Sequence, residues 1–160
     1  MLKITYIYID RQKDEYYRRA MDEYIKRISK YARFSEKILK SCALPESPSA
    51  AQIDAALEKE ARSIESAIPK GAYKVAMCVE GKKMSSEQFA KLLDRTAASG
   101  FSEIAFIVGS SYGLSDSIKS ACDLKLSVSD MTFPHGLFGV MLCEQIYRAL
   151  SINAGDLYHK

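Results

Sequence analysis

Val128-Ser129-Asp130-Met131-Thr132-Phe133-Pro134-His135-Gly136 is the stretch on which the organisation of this chain turns. It leaves a short apolar run, Leu124 to Val128, that reads as a strand, and it feeds a long apolar run, Leu137 to Ser151, that reads as a helix. Pro134 restricts Phe133 to extended geometry. A rigid extended loop cannot pair all of its own backbone donors and acceptors, so groups near Asp130 to Phe133 are open to a flat base edge such as that of adenine. A plain helix entry with His135 near the cap fits the same residues equally well.

Working outward, Ile104 to Val108 is a second buried strand, followed by Gly109-Ser110-Ser111-Tyr112-Gly113 and a short helix from Ser115 to Cys122. The glycines allow positive φ or close approach of a ligand to the backbone. The loop matches neither a G-x-G-x-x-G fingerprint nor a Walker loop, and a tight turn also explains it. At the other end of the chain, Leu2 to Ile9 is β-branched and aromatic with little polar alternation, as in a strand buried on both faces. A helix follows, with Tyr17, Met21, Tyr24 and Ile28 on one stripe and Arg19, Lys26, Lys30 and Arg33 opposite. Phe34 to Leu39 is a weaker strand, and the Pro45/Pro48 loop ends where Ser49 caps a helix with the stripe Ile53, Leu57, Ala61, Ile64 and Ile68. Tyr73 to Val79 is the third strand, Glu80-Gly81-Lys82-Lys83 a turn, and Ser85 to Gln88 a capping box opening a helix through Phe89, Leu92 and Leu93 that Gly100 ends. Strands alternating with helices predict an α/β fold with a mainly parallel sheet. In such sheets ligands bind beyond the carboxyl ends of the strands, which selects the loops after Val79, Val108 and Val128.

The length of 160 residues and 48% hydrophobic content suit one domain spanning 1–160 with a continuous core. No apolar run reaches the roughly 18 residues needed to cross a bilayer, and the first residues lack the regions of a signal peptide, so the expected location is the cytoplasm. Cys42, Cys78, Cys122 and Cys143 are widely spaced and read as inert reduced thiols; with only His135 and His159 besides, no metal site is expected. The net charge is +3, but residues 1–40 carry eleven Lys/Arg against six Asp/Glu, so the positive surplus lies in the first quarter. A solvated helix face accounts for that surplus, and so does contact with a phosphate backbone.

The last helix is apolar around most of its circumference, and only Glu144, Arg148 and Ser151 form a polar line. Such a helix is either the centre of a monomer's core or partly covered by a second subunit. Tyr158-His159-Lys160 closes the chain, where a frayed tail is the ordinary expectation. His159 is nevertheless one of two histidines, the side chains that titrate near neutral pH.

Ile107-Val108-Gly109 with Tyr112-Gly113-Leu114, Ser129 to His135, Glu144 to Ala149 and the closing Tyr158-His159-Lys160 together resemble the RlmH family. These are short SPOUT-class methyltransferases that modify N3 of a pseudouridine in large-subunit rRNA. The resemblance runs the length of the chain. It implies an α/β domain with a C-terminal deep trefoil knot, a rare exception to unknotted topology. It implies S-adenosylmethionine as cofactor, held by Met77, Gly109, Val128, Ser129, Asp130, Met131, Thr132 and Phe133. It also implies a homodimer packed through the last helix, each active site completed by the partner's tail, with His135, Tyr158, His159 and Lys160 around the target base of 23S rRNA. A basic patch this small binds naked RNA weakly, so the expected substrate is the assembled ribosome.

Three positions depart from the family pattern. Asp10 stands where the first strand usually ends in Gly, Ser110 replaces the second of two glycines, and Gly139 replaces an Arg. The first two alter the shape of the substrate cleft, and the third removes a cation. Two rival readings follow: a knotted methyltransferase acting on another RNA such as tRNA, or a ribosome- or nucleotide-binding module without catalysis.

Overall fold

The computed structural model describes residues 1–160. Its elements in order are β1 (Lys3–Ile9), α1 (Glu15–Ile28), β2 (Arg33–Leu39), α2 (Ala50–Ala67), β3 (Tyr73–Lys83), α3 (Ser86–Ala98), β4 (Glu103–Val108), α4 (Asp116–Ala121), β5 (Leu124–Ser127) and α5 (His135–Asn153). The strands form one all-parallel sheet in the order β2-β1-β4-β3-β5, as the alternation of strands and helices predicts.

Successive side chains of a strand point to opposite faces. Ile4, Tyr6 and Tyr8 of β1 therefore enter a core with Phe106, Met21, Leu93 and Ile146, under α1, α3 and α5. Ile7 and Ile9 enter a second core with Ala61, Ile64 and Ile118, under α2 and α4. Burial on both faces is why β1 and β4 lack polar alternation. Each fully buried Ile or Phe stabilises the fold by roughly 1.5–3 kcal/mol. Ser49 and Ser85 each accept a hydrogen bond from the N–H three residues on, and Gln52 and Gln88 bond back to the cap N–H, so both helix starts are complete capping boxes.

Four expectations need correction. Glu80 to Lys83 is strand, not turn: β3 continues through a bulge that brings Lys82 opposite Leu126 after Met77 has already paired there. A Cβ on Gly81 would lie 2.6 Å from the Leu126 carbonyl carbon, so only glycine lets the bulged strand press against β5. The first helix stops at Ile28, leaving Lys30 in a turn and Arg33 in β2; Arg19 pairs with Glu15 and Lys30 with Asp156, which disperses the basic stripe. Ser151 is fully buried rather than part of a polar line, and its hydroxyl has no partner. Finally, α5 begins at His135, two residues before the expected start, because Pro134 serves as its N-cap.

Asp10 has φ of 62°, the left-handed region that favours glycine. That matches the glycine the family pattern places here. Its carboxylate accepts a hydrogen bond from the Ser41 N–H at 3.0 Å and so ties the end of β1 to the loop after β2. Burial pushes the Asp10 carboxyl up, but the Ser41 hydrogen bonds, with Lys13 and His135 nearby, outweigh it and leave the group below its usual range. Asp10→Val is expected to destabilise the protein by about 2 kcal/mol, through a β-branched residue at positive φ and a lost hydrogen bond. Asp10→Gly should stay within about 1 kcal/mol of the parent. Urea unfolding of the two variants measures both, and equal stability would exclude a backbone cause.

Candidate active site

Two cavities open side by side at the carboxyl end of the sheet. The first has a volume of about 600 Å³ and lies between the loops that follow β3, β4 and β5. Met77, Gly109, Val128, Ser129, Met131, Thr132 and Phe133 line it, together with Leu114, Leu126 and Phe138. These are seven of the eight residues expected to hold a cofactor. The eighth, Asp130, points away and forms an exposed ion pair with Lys83 at 2.5 Å.

The lining has two chemical characters. Its side chains are mostly apolar, and its one ion pair, Glu80 with Lys119 at 2.5 Å, is closed on itself. The Lys119 hydrogen bond holds the Glu80 carboxyl below its usual range. Burial pushes the Cys78 thiol up. The main chain is the opposite. From Val128 to Phe133 no N–H or C=O joins a backbone ladder; only the Met131 N–H and the Ser129 C=O are held, by the Ser129 and Ser127 hydroxyls respectively. Gly109 owes its identity to the loop itself, because a Cβ there would overlap the Gly113 carbonyl and lie 2.9 Å from Leu114 N. Gly113, at φ of 84°, makes the turn.

The second cavity, of about 540 Å³, lies under the ends of β1 and β2. It is the more polar in its side chains, with Asp10, Arg11, Gln12, Lys13, Ser41 and Glu60 among them. Arg11 and Lys13 form no ion pair within the chain. Ser110, Ser111, Tyr112, Pro134 and His135 line both cavities and form the wall between them. Gly139 lines the second one, where a Cβ would meet Met21 Sδ at 2.9 Å and the Tyr6 hydroxyl at 3.5 Å.

Among the residues expected to surround the target, only His135 stands at this junction. Tyr158 and His159 fold back on their own α5 and α3: Tyr158 donates to Glu144 Oε1 at 3.1 Å, the Arg148 guanidinium sits 4.7 Å from the Tyr158 ring centroid, and His159 Nε2 lies 2.8 Å from Glu87 Oε1. Burial, with hydrogen bonds to Tyr24 and Glu144, pushes the Tyr158 phenol up to about 12. Hydrogen bonds from Ser85, the Glu87 backbone and His159 pull the exposed Glu87 carboxyl down to about 2. Lys160 is exposed. One chain therefore does not bring its tail to its own cavities.

Sequence reasoning missed the second cavity, including Tyr6, Gln12, Ser41 and Glu60. One signal was present. Glu60 is three residues after Leu57 and four before Ile64, so a carboxylate sits on the apolar stripe of α2. No three His, Cys, Asp or Glu side chains cluster as a metal site, and no helix is long and apolar enough to cross a membrane.

Comparison with known proteins identifies the family and the fold. A family model described as predicted SPOUT methyltransferase matches residues 2–159. Proteins named ribosomal RNA large subunit methyltransferase H from Clostridium kluyveri and Clostridium acetobutylicum are 42% and 41% identical over 159 residues, covering 99% of this chain and all of each relative. In fold, the chain is similar to a probable methyltransferase from Bordetella pertussis, with TM-score 0.57, 15% identity and coverage of 93% and 95% of the two chains. It is also similar to the tRNA (m1G37) methyltransferase of Aquifex aeolicus, with TM-score 0.54, 13% identity and coverage of 99% and 73%. The parallel sheet, the three-loop cavity and the full-length match together place the chain in the SPOUT methyltransferase family, alongside the proteins named ribosomal RNA large subunit methyltransferase H.

Proposed function

We propose that this protein transfers a methyl group from S-adenosylmethionine to N3 of a pseudouridine in 23S rRNA, on the assembled ribosome in the cytoplasm, as a homodimer. The observation that carries this reading is the shared wall, Ser110 to Tyr112 with Pro134 and His135, between a backbone-lined apolar cavity and a polar one. A donor and an acceptor held in two adjoining cavities meet in the near-attack geometry that methyl transfer needs.

The first cavity fits the cofactor. Unpaired backbone groups of Thr132 and Phe133 match an adenine edge, and Met77, Leu114, Leu126 and Phe138 offer apolar faces to the ring. When bound, S-adenosylmethionine supplies an electrophilic methyl group on a sulfonium. Val128, Ser129 and Met131 lie along the same wall. The chain's own part in the reaction is to orient the base and handle a proton. N3 of the target carries a proton that leaves, and His135 at the wall is placed to accept it or to steady the resulting charge, a contribution of about 10²-fold or more. Arg11 and Lys13 at the second cavity supply charge for backbone phosphates. So small a patch binds naked RNA weakly, which favours a folded particle as substrate.

Two further elements of the proposal follow the family. Residues 128–129 and 131–135 share one cavity with Gly109 to Leu114, an arrangement that suits a chain threaded into a trefoil knot. Phe138, Val140 and Met141 of α5 are only half-buried, a face suited to a second subunit. The partner's Tyr158, His159 and Lys160 would then complete each site from across the interface.

Mass spectrometry of rRNA from cells lacking this protein is expected to reveal the loss of one methylpseudouridine, restored by the wild-type gene. Unchanged rRNA with a lost tRNA methyl group would favour the tRNA reading. Absence of micromolar binding of S-adenosylmethionine and its demethylated product in calorimetry would favour a non-catalytic module.

A further inference from the structure

Glu60 is 5% exposed, sits on the buried face of α2 and lines the second cavity. Its Oε2 accepts a hydrogen bond from the Cys42 N–H at 3.0 Å. Its Oε1 has no hydrogen-bond partner, and no Lys, Arg or His forms an ion pair with it. The unused oxygen opens on the cavity, where a donor that enters can bond it. Structural duty alone does not require an acid here, since a glutamine would cap the Cys42 N–H as well.

We propose that Glu60 is the residue that selects pseudouridine over uridine, by accepting a hydrogen bond from the second ring N–H of the base. This rests on the pseudouridine reading above. Pseudouridine is joined to its ribose through carbon, so its ring keeps two N–H donors, N1–H and N3–H. N3 is the atom methylated and faces the donor cavity. N1–H is the group free to be read. In uridine the equivalent ring position is a C–H, so the bound base would cover Oε1 and give it no partner. Sites built to hydrogen-bond one group reject the analogue lacking it strongly. The carbonyls of the two bases are alike, so an acceptor at N1–H is the feature that discriminates them.

The test measures single-turnover methylation of two ribosome preparations. One comes from cells lacking this methyltransferase, and the other from cells lacking in addition the synthase that makes the target pseudouridine. Wild-type protein is expected to prefer pseudouridine by about 10²-fold. In Glu60→Gln the amide oxygen keeps the Cys42 bond and turns an NH₂ donor toward N1–H. The pseudouridine rate should then fall by about 10-fold or more while the uridine rate stays within about 2-fold. Melting temperature and S-adenosylmethionine affinity should be unchanged, because Glu60 does not line the donor cavity. Equal loss on both substrates, or no change on either, overturns the proposal. If Glu60→Gln fails to fold, Glu60→Asp carries the test: lowering of the pseudouridine rate alone supports it, and equal lowering of both overturns it. Wild-type protein equally fast on both ribosomes overturns the role of Glu60 only; wild-type protein that binds S-adenosylmethionine but is inactive on both overturns the pseudouridine reading as well.

Discussion

Gly109→Ala is expected to weaken S-adenosylmethionine binding by at least ~10²-fold, about 2.7 kcal/mol of binding free energy. The reason is local. A methyl group at this position would overlap the Gly113 carbonyl and press on Leu114 N, both backbone atoms that no rotamer change can move. The loop after β4 must open, and with it the wall formed by Ser110, Ser111 and Tyr112. Overpacking of this kind also costs about 1–3 kcal/mol of stability. Calorimetry with the cofactor and a urea titration separate the two effects. Unchanged cofactor affinity would remove the Gly109 loop from the binding site. Gly113→Ala is the useful companion, because its Cβ would meet nothing and only its φ of 84° is disfavoured. That variant should cost about 1–2 kcal/mol of stability and far less affinity.

Deleting Tyr158, His159 and Lys160 is expected to lower turnover by roughly 10²- to 10⁴-fold, the range typical of groups that position or exchange a proton in the transition state. Stability should change by no more than about 2 kcal/mol, because the tail's contacts are the partly exposed Glu144–Arg148–Tyr158 cluster, the Tyr158 ring against Tyr147, and His159 with Glu87 and Arg148. Cofactor affinity should be untouched, since no tail residue lines the donor cavity. Complementation makes the prediction specific to action across a dimer. Truncated chains mixed with His135→Ala chains would form mixed dimers in which an intact His135 meets an intact tail. Recovery of activity on mixing, from two variants each inactive alone, is the expected result. No recovery would mean that the tail serves its own chain, or serves neither.

Much of the sheet and of the first cavity is legible in the residues alone. β1 and β4 read as doubly buried strands because a parallel sheet covered by helices leaves no polar face to alternate. Ser49 and Ser85 marked helix starts because capping chemistry is confined to four adjacent residues. The three candidate loops followed from the direction of the strands, and seven of the eight residues expected to hold a cofactor line one cavity. The misreadings share a cause. Glu80-Gly81-Lys82-Lys83 has the composition of a turn, yet it is strand, because β5 lies alongside and Gly81 lets it approach. Lys30 and Arg33 continue a helical charge pattern past the point where the chain turns to enter β2.

What the sequence by itself determined was the set of elements and the loops in which chemistry is placed, since hydrophobic period, capping and glycine geometry act within a few residues. Only the tertiary structure decided the strand order, the side-by-side cavities and the isolation of Glu60. It also decided that the tail lies on its own α5 and α3, away from both cavities. These depend on which distant segments come together: α2 against the loop after β2, and residues 134–135 with residues 110–112 on the lining of the same two cavities. Contacts of that kind are selected by packing and burial over the whole chain, and no short window of residues encodes them.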